Sequence, residues 1–135
     1  MKSSINILGI SCYYHDSAAA LISDGEIISA VQEERFSRKK HDSKFPRESI
    51  KYCLNQNNLS LENIDFVIYY EKPFTTFSRL INTFLCVAPR GSRVFIKAMS
   101  VWLKEKLFMR SNIKKELEKI NNEISKLKKN KQKPP

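Results

Sequence analysis

Three short apolar runs joined by two sharp corners, all within residues 5–32, constrain this chain more than anything else in it. Ile5–Tyr13 (INILGISCY) is rich in β-branched residues and has the length of a strand. Its apolar positions fall on both faces, which suits a central strand rather than an edge. Gly9 in its middle weakens a strand, so it marks a place where a backbone or ligand approaches closely. Tyr14-His15-Asp16 breaks the run, and Ser17–Ser23 (SAAALIS) resumes it with small residues. Asp24-Gly25 is a two-residue hairpin signal leading into a third run, Glu26–Gln32 (EIISAVQ). Strands joined this tightly predict an antiparallel meander.

The remainder reads as helices around one more strand. Glu33–Lys44 is polar and charged, a loop or a helix start. Phe45-Pro46 then opens a helix with Pro46 at the first helical position. Ile50, Cys53 and Leu54 form its buried stripe, and Asn57-Asn58 ends it. Ile64–Tyr70 (IDFVIYY) is a fourth strand that follows a helix, so a right-handed crossover should lay it parallel to an earlier one. The expected architecture is α/β: a three-stranded antiparallel meander, a helix and a parallel fourth strand, the opening half-domain of a ribonuclease-H-like sheet. A helix over 75–87 is stopped by Ala88-Pro89-Arg90-Gly91. Another, from Ser92 to Met109, shows an apolar face of Phe95, Met99, Trp102, Leu103 and Leu107. Ile113, Leu117, Ile120, Ile124 and Leu127 then continue at spacings of four and three, a coiled-coil-like seam of two heptads. Lys128–Pro135 is charged and should fray.

Charge divides the chain. Residues 1–90 balance at +1 and residues 91–135 at +9, so nearly all of the net +10 sits in the last third. The reading is a near-neutral globular subdomain over 1–90, incomplete as a fold, and a basic helical extension over 91–135. That extension admits two functions without catalysis: phosphate contacts to nucleic acid, or a helical module that docks a partner chain. Nucleic acid is disfavoured, because the basic residues are spread around helices with apolar stripes. Trp102, Phe95 and Phe108 also read as core rather than as a stacking platform. Cys12, Cys53 and Cys86 lie far apart and form no ligand pair, so the expectation is reduced thiols in a cytoplasmic protein without a zinc site. The apolar segment Phe74–Pro89 carries Arg79 and Asn82 and is too short to span a bilayer.

Two places carry candidate chemistry. His15 and Asp16 sit where one strand hands over to the next, so their side chains should leave the end of the sheet. An imidazole there can accept or donate a proton near neutral pH, and a neighbouring carboxylate can orient it. As turn formers alone, the pair would need no chemical role. Glu33-Glu34-Arg35 and Arg38-Lys39-Lys40-His41-Asp42 crowd titratable groups at the end of the third strand. Arg and Lys there can hold a phosphate or carboxylate, whereas a solvated, salt-bridged loop is the plainer outcome. The Tyr14–Ala18 corner lacks the glycines that let backbone amides cradle ATP phosphates in sugar kinases and actin. Simple kinase or ATPase activity is disfavoured.

In Gly9, His15-Asp16-Ser17-Ala18, Asp24-Gly25, Glu33-Glu34-Arg35-Phe36, Arg38, Lys40-His41-Asp42 and Phe45-Pro46, in that order and spacing, the chain resembles the amino-terminal signature of O-carbamoyltransferases that modify nodulation factors and antibiotics. APRGSRVFIKAMSVWLKEKLF, from Ala88, is similar to a segment that some bacterial members carry. The resemblance implies an actin-like fold of the actin and sugar-kinase superfamily. It also implies transfer of a carbamoyl group to a hydroxyl of a small molecule, by way of a carbamoyl-adenylate made from carbamoyl phosphate and ATP in another domain. It implies a divalent metal, iron or magnesium, in the complete enzyme. By motif position His15, with Asp16, would contact the reacting centre, and Glu34, Arg35, Arg38, Lys40, His41 and Asp42 would bind substrate.

The family's metal site uses an HxxxH pair, whereas the histidines here are His15 and His41 alone. The expectation is therefore an amino-terminal fragment with no metal or cofactor of its own. It would be inactive by itself and completed by a complementary carboxy-terminal carbamoyltransferase chain.

Overall fold

A computed structural model describes residues 4–71 and 73–131. Strands β1 (Asn6–Ser11), β2 (Ala18–Ser23) and β3 (Glu26–Gln32) form an antiparallel meander. Asp24 and Gly25 make its hairpin with φ of 49° and 88°, the left-handed pair that a two-residue turn requires. The Asp24 carboxylate also accepts the Ile5 N–H at 2.8 Å and so pins the start of β1. Strand β4 (Phe66–Tyr69) runs parallel to β1, giving the sheet order β3-β2-β1-β4. The expected α/β half-domain pattern of meander, helix and parallel strand is observed.

Alternation along the strands decides which face is covered. Leu8 and Ile10 of β1, with Cys12 beyond it, and Ala19 and Leu21 of β2 are all buried on one face. Helix α2 (Arg47–Gln56) lies there, contributing Ile50, Cys53 and Leu54, each fully buried. Burying a side chain of this size contributes about 1.5–3 kcal/mol, so this layer is the core. The stripe is the one its spacing predicts, and Asn57 and Asn58 end the helix as expected, Asn58 with φ 51°.

The ends of the elements depart from the sequence reading. Pro46 occupies the N-cap position of α2, one step before the first helical position, and makes no capping hydrogen bond of its own. A single helical turn, α1 (Glu34–Ser37), follows β3 directly. A 3-10 turn, Leu61–Asn63, precedes β4, because Ser60 and Asn63 bond each other's backbone as a capping box.

The described residues form two compact units, one of residues 4–70 with 115–131 and the other within residues 71–114. In the second unit, helices α3 (Pro73–Val87) and α4 (Ser92–Leu107) are joined by a turn with Gly91 at φ 81°, and Phe84 stacks on Phe95 with centroids 4.0 Å apart. Phe108, expected in a core, is 60% exposed. Helix α5 (Met109–Lys131) belongs from Lys115 onward to the first unit. There Ile120, from the middle of the coiled-coil-like seam, is fully buried. The Arg47 guanidinium of α2 pairs with Glu116, its Nε donating at 2.8 Å, and Lys51 pairs with Glu123 at 2.7 Å. The side chains of Trp102, Leu107 and Leu127, and residues 132–135 of the tail, lie outside the described residues. Among the described residues no helix is long and apolar enough to cross a membrane.

If α5 packs through Ile120, Ile120→Ala should lower stability by about 3 kcal/mol, the cost of emptying a buried aliphatic site. Urea unfolding measures it, and a loss below about 0.5 kcal/mol, typical of a surface change, would contradict the packing.

Candidate functional site

Two loops meet at the carboxy-terminal end of β1, and a polar clamp laces them together. Ser17 is buried, and both its backbone N–H and its hydroxyl donate to the Asp42 carbonyl at 2.8 Å. Tyr13 N–H donates to the Ser43 carbonyl at 2.8 Å, and Glu33 N–H to the Ser17 carbonyl at 2.8 Å. Each side of the clamp has a neighbour in left-handed backbone: Asp16 at φ 48° and His41 at φ 54°. Asp and His tolerate that region better than most residues. Tyr13 (φ 69°) and Arg38 (φ 54°) share it; a non-glycine residue there costs on the order of 1–3 kcal/mol. Surrounding structure must hold such a corner in place.

The clamp brings Asp16 and His41 face to face. His15 Nδ1 lies 2.9 Å from Asp16 Oδ2, and His41 Nδ1 lies 3.0 Å from Asp16 Oδ1. The His41 ring foremost, then the His15 ring, hold the Asp16 carboxyl below its usual range. An ionised carboxylate only accepts, so both Nδ1 atoms carry protons and donate to it. Both Nε2 atoms are then left to act as bases when the rings are neutral or as acids when they are charged. The two imidazoles are exposed, with Asp16 half-buried between them. Beside them, burial foremost pushes the Tyr13 phenol up to about 12, with Cys12 and Glu116 adding to the effect and Arg47 opposing it. Tyr13 is therefore a neutral phenol at physiological pH.

The charged segment sorts itself by sign. Glu33 and Asp42 turn inward and are buried, whereas Arg38, Lys39, Lys40 and His41 are exposed. The Lys44 amide, 3.1 Å away, and the Ser37 hydroxyl hold the Asp42 carboxyl below its usual range. Glu33 Oε1 accepts the Glu48 N–H at 3.1 Å, and Oε2 accepts the Ser49 N–H and hydroxyl at 2.8 and 2.6 Å. It therefore caps α2 from outside, a task that Pro46 cannot perform for itself because it has no side-chain acceptor. Of the sequence candidates, His15, Asp16 and His41 come together, and Arg38 and Lys40 stand exposed in the loop that carries His41. Glu34 is half-buried in α1, and Arg35 lines a hollow on the open face of the sheet. Ser17 and Glu33 belong to the matching sequence pieces, but the sequence assigns neither of them a role at the candidate site. A helix opened by proline after an acidic residue at a strand end is the available signal for Glu33; Ser17 leaves none.

Among the described residues no group of three or more His, Cys, Asp or Glu side chains could hold a metal ion. Both Asp16 oxygens are taken by ring nitrogens, so the corner does not chelate. Among the described residues, the side chains present do not form a site for the divalent metal that the resemblance implies.

Residues 6–135 match the family model described as the carbamoyltransferase N-terminus, and the chain belongs to that family. An uncharacterised protein of Synechocystis sp. is 56% identical over 117 residues, which are 87% of this chain and 19% of that protein. Nodulation protein NolNO of Sinorhizobium fredii is 50% identical over 58 residues, 43% of this chain and 8% of that one. An uncharacterised protein of Methanocaldococcus jannaschii is 48% identical over 50 residues, 37% of this chain and 10% of its own length. This chain thus spans about a fifth of the Synechocystis relative and less of these two others.

Asp16 should titrate below the ordinary 3.8. Because its folded pKa is lowered, its link to His41 is fully present above the unfolded value and is lost as pH falls through the folded one. Carbon-13 NMR of the carboxyl carbon measures the midpoint, and a value of 3.8 or higher would contradict the geometry.

Proposed function

We propose that this segment supplies the hydroxyl-activating part of a carbamoyl-transfer centre. The observation that carries the reading is the His15–Asp16–His41 group, locked at the sheet end by Ser17 and Asp42 in a member of the carbamoyltransferase family. The acceptor is a small molecule with a free hydroxyl, and the donor is the carbamoyl-adenylate formed from carbamoyl phosphate and ATP. Nε2 of His15 takes the hydroxyl proton as the oxygen attacks the carbamoyl carbon, and AMP leaves. Asp16 orients the ring and stabilises its positive charge once it is protonated, the division of labour seen in carboxylate–histidine pairs generally. Arg38, Lys40 and His41 offer positive charge to the departing phosphate, with Glu34, Arg35 and Asp42 shaping the same end of the fold.

The fold reading that accompanies this is ribonuclease-H-like, of the actin and sugar-kinase superfamily. An antiparallel meander extended by a parallel strand, in the order β3-β2-β1-β4, supports it. On this reading, adenylate formation and the divalent metal ion, iron or magnesium, are functions of parts of the longer relatives outside the matched segment.

To test this, the chain is co-expressed with the carboxy-terminal remainder of the Synechocystis relative. His15→Ala should lower transfer to a hydroxyl acceptor by about 1,000-fold, within the range for losing a general base, while ATP consumption on adenylate formation is unchanged. Transfer at the wild-type rate in that variant would overturn the assignment.

A further inference from the structure

Within residues 71–114, the exposed surface of the α3–α4 hairpin changes character toward its turn. Along its middle, α3 exposes Ser78, Arg79, Asn82 and Thr83. From Leu85 to Pro89 (LCVAP) every residue is exposed, five apolar positions in a row. On the other side of the turn Val94 is 74% exposed and Ile96 67%. Phe84 and Phe95 already stack on each other, so the apolar groups beside them are surplus to that contact. An exposed apolar run of this length is a defect unless something covers it.

Charge narrows what that cover is. Between Glu71 and Glu105 stand six Lys and Arg and not one Asp or Glu. Three of the six, Arg90, Arg93 and Lys97, are exposed among the apolar residues of the turn. Geometry narrows it further. Consecutive helical residues point a little over a quarter of a turn apart, so Leu85, Cys86 and Val87 present apolar surface on three sides. A helix that docks in a groove uses one stripe, at spacings of three and four. Apolar surface all round suits immersion in an apolar medium.

We propose that the turn between α3 and α4 docks on an anionic phospholipid surface. Its apolar tip lies among the upper acyl chains, and Arg90, Arg93 and Lys97 meet the headgroup phosphates. Apolar residues bordered by cations, with no acid among them, are the composition that binds such an interface. Long basic side chains can lay their stems along the apolar tip and still reach the phosphates. Among the described residues no helix is long and apolar enough to cross a membrane, so the hairpin lies on the surface. Nucleic acid would take the cations but leave Leu85, Val87, Val94 and Ile96 against its phosphates and water. The inference does not rest on the chemistry assigned to His15, so either can fail without the other.

The test is sedimentation of the whole chain with vesicles of phosphatidylcholine containing about a quarter phosphatidylglycerol, an anionic surface of the kind such segments bind. Partition onto these vesicles, and far less onto phosphatidylcholine alone, is expected. Leu85→Ser with Val94→Ser keeps the charge and should weaken partition about 10-fold, with circular dichroism unchanged because both side chains are exposed. Arg93→Gln should weaken it about fivefold, the effect of one basic residue at such a surface. Lys126→Gln, an equal loss of charge on α5, should change it less than about twofold. Cys86 is exposed while Cys12 and Cys53 are buried, so a polarity-sensitive fluorophore on Cys86 should shift to the blue when vesicles are added. No partition, a serine pair that binds like the wild type, equal losses from Arg93→Gln and Lys126→Gln, or a label that responds to duplex DNA and not to vesicles would each overturn the proposal.

Discussion

A buried hydroxyl and a buried carboxylate hold the candidate-site end of this protein together. Ser17 ties the β1–β2 corner to the loop before α2, and its carbonyl receives the Glu33 N–H. The Glu33 side chain then caps α2, the helix that covers the core. One polar chain therefore runs from the His15–Asp16 corner to the helix that makes the sheet stable. A cap of this kind contributes about 0.5–2 kcal/mol, and each buried hydrogen bond about 1 kcal/mol net. Together they offset the left-handed backbone at Asp16 and His41, and they couple the stability of the fold to the geometry of the site.

The clamp also explains how one short segment can be both acidic and basic without cancelling itself. Its buried acids serve the backbone: Glu33 the start of α2, Asp42 the amide of Lys44. Its bases stay in solvent beside His41. The outward face of the loop is therefore more positive than the sequence suggests, which favours an anionic group next to the two imidazoles.

The elements are legible in the sequence because periodicity reports burial. The meander, the Asp24-Gly25 hairpin, the Ile50/Cys53/Leu54 stripe and the parallel fourth strand all follow from local pattern. Polar closure between distant residues does not. Nothing local in Ser17 says that it will bond residue 42, nor in Glu33 that it will reach residue 49. The seam through Ile120 reads as a surface for a partner because its match lies far away in the same chain: Arg47 meets Glu116 across 69 positions of sequence. At the candidate site, His15 and Asp16 can be read from their corner. The joining of His41 to them depends on the clamp and is visible only in the fold.

The central claim is that Asp16 fixes both imidazoles with Nδ1 protonated and Nε2 turned to the reactants. Long-range proton–nitrogen-15 NMR of the histidine rings, at a pH where they are neutral, tests it directly. Both His15 and His41 are predicted to show the Nδ1–H tautomer, and both to become tautomer mixtures in Asp16→Asn. The Nε2–H tautomer at either ring in the wild-type protein would contradict the claim.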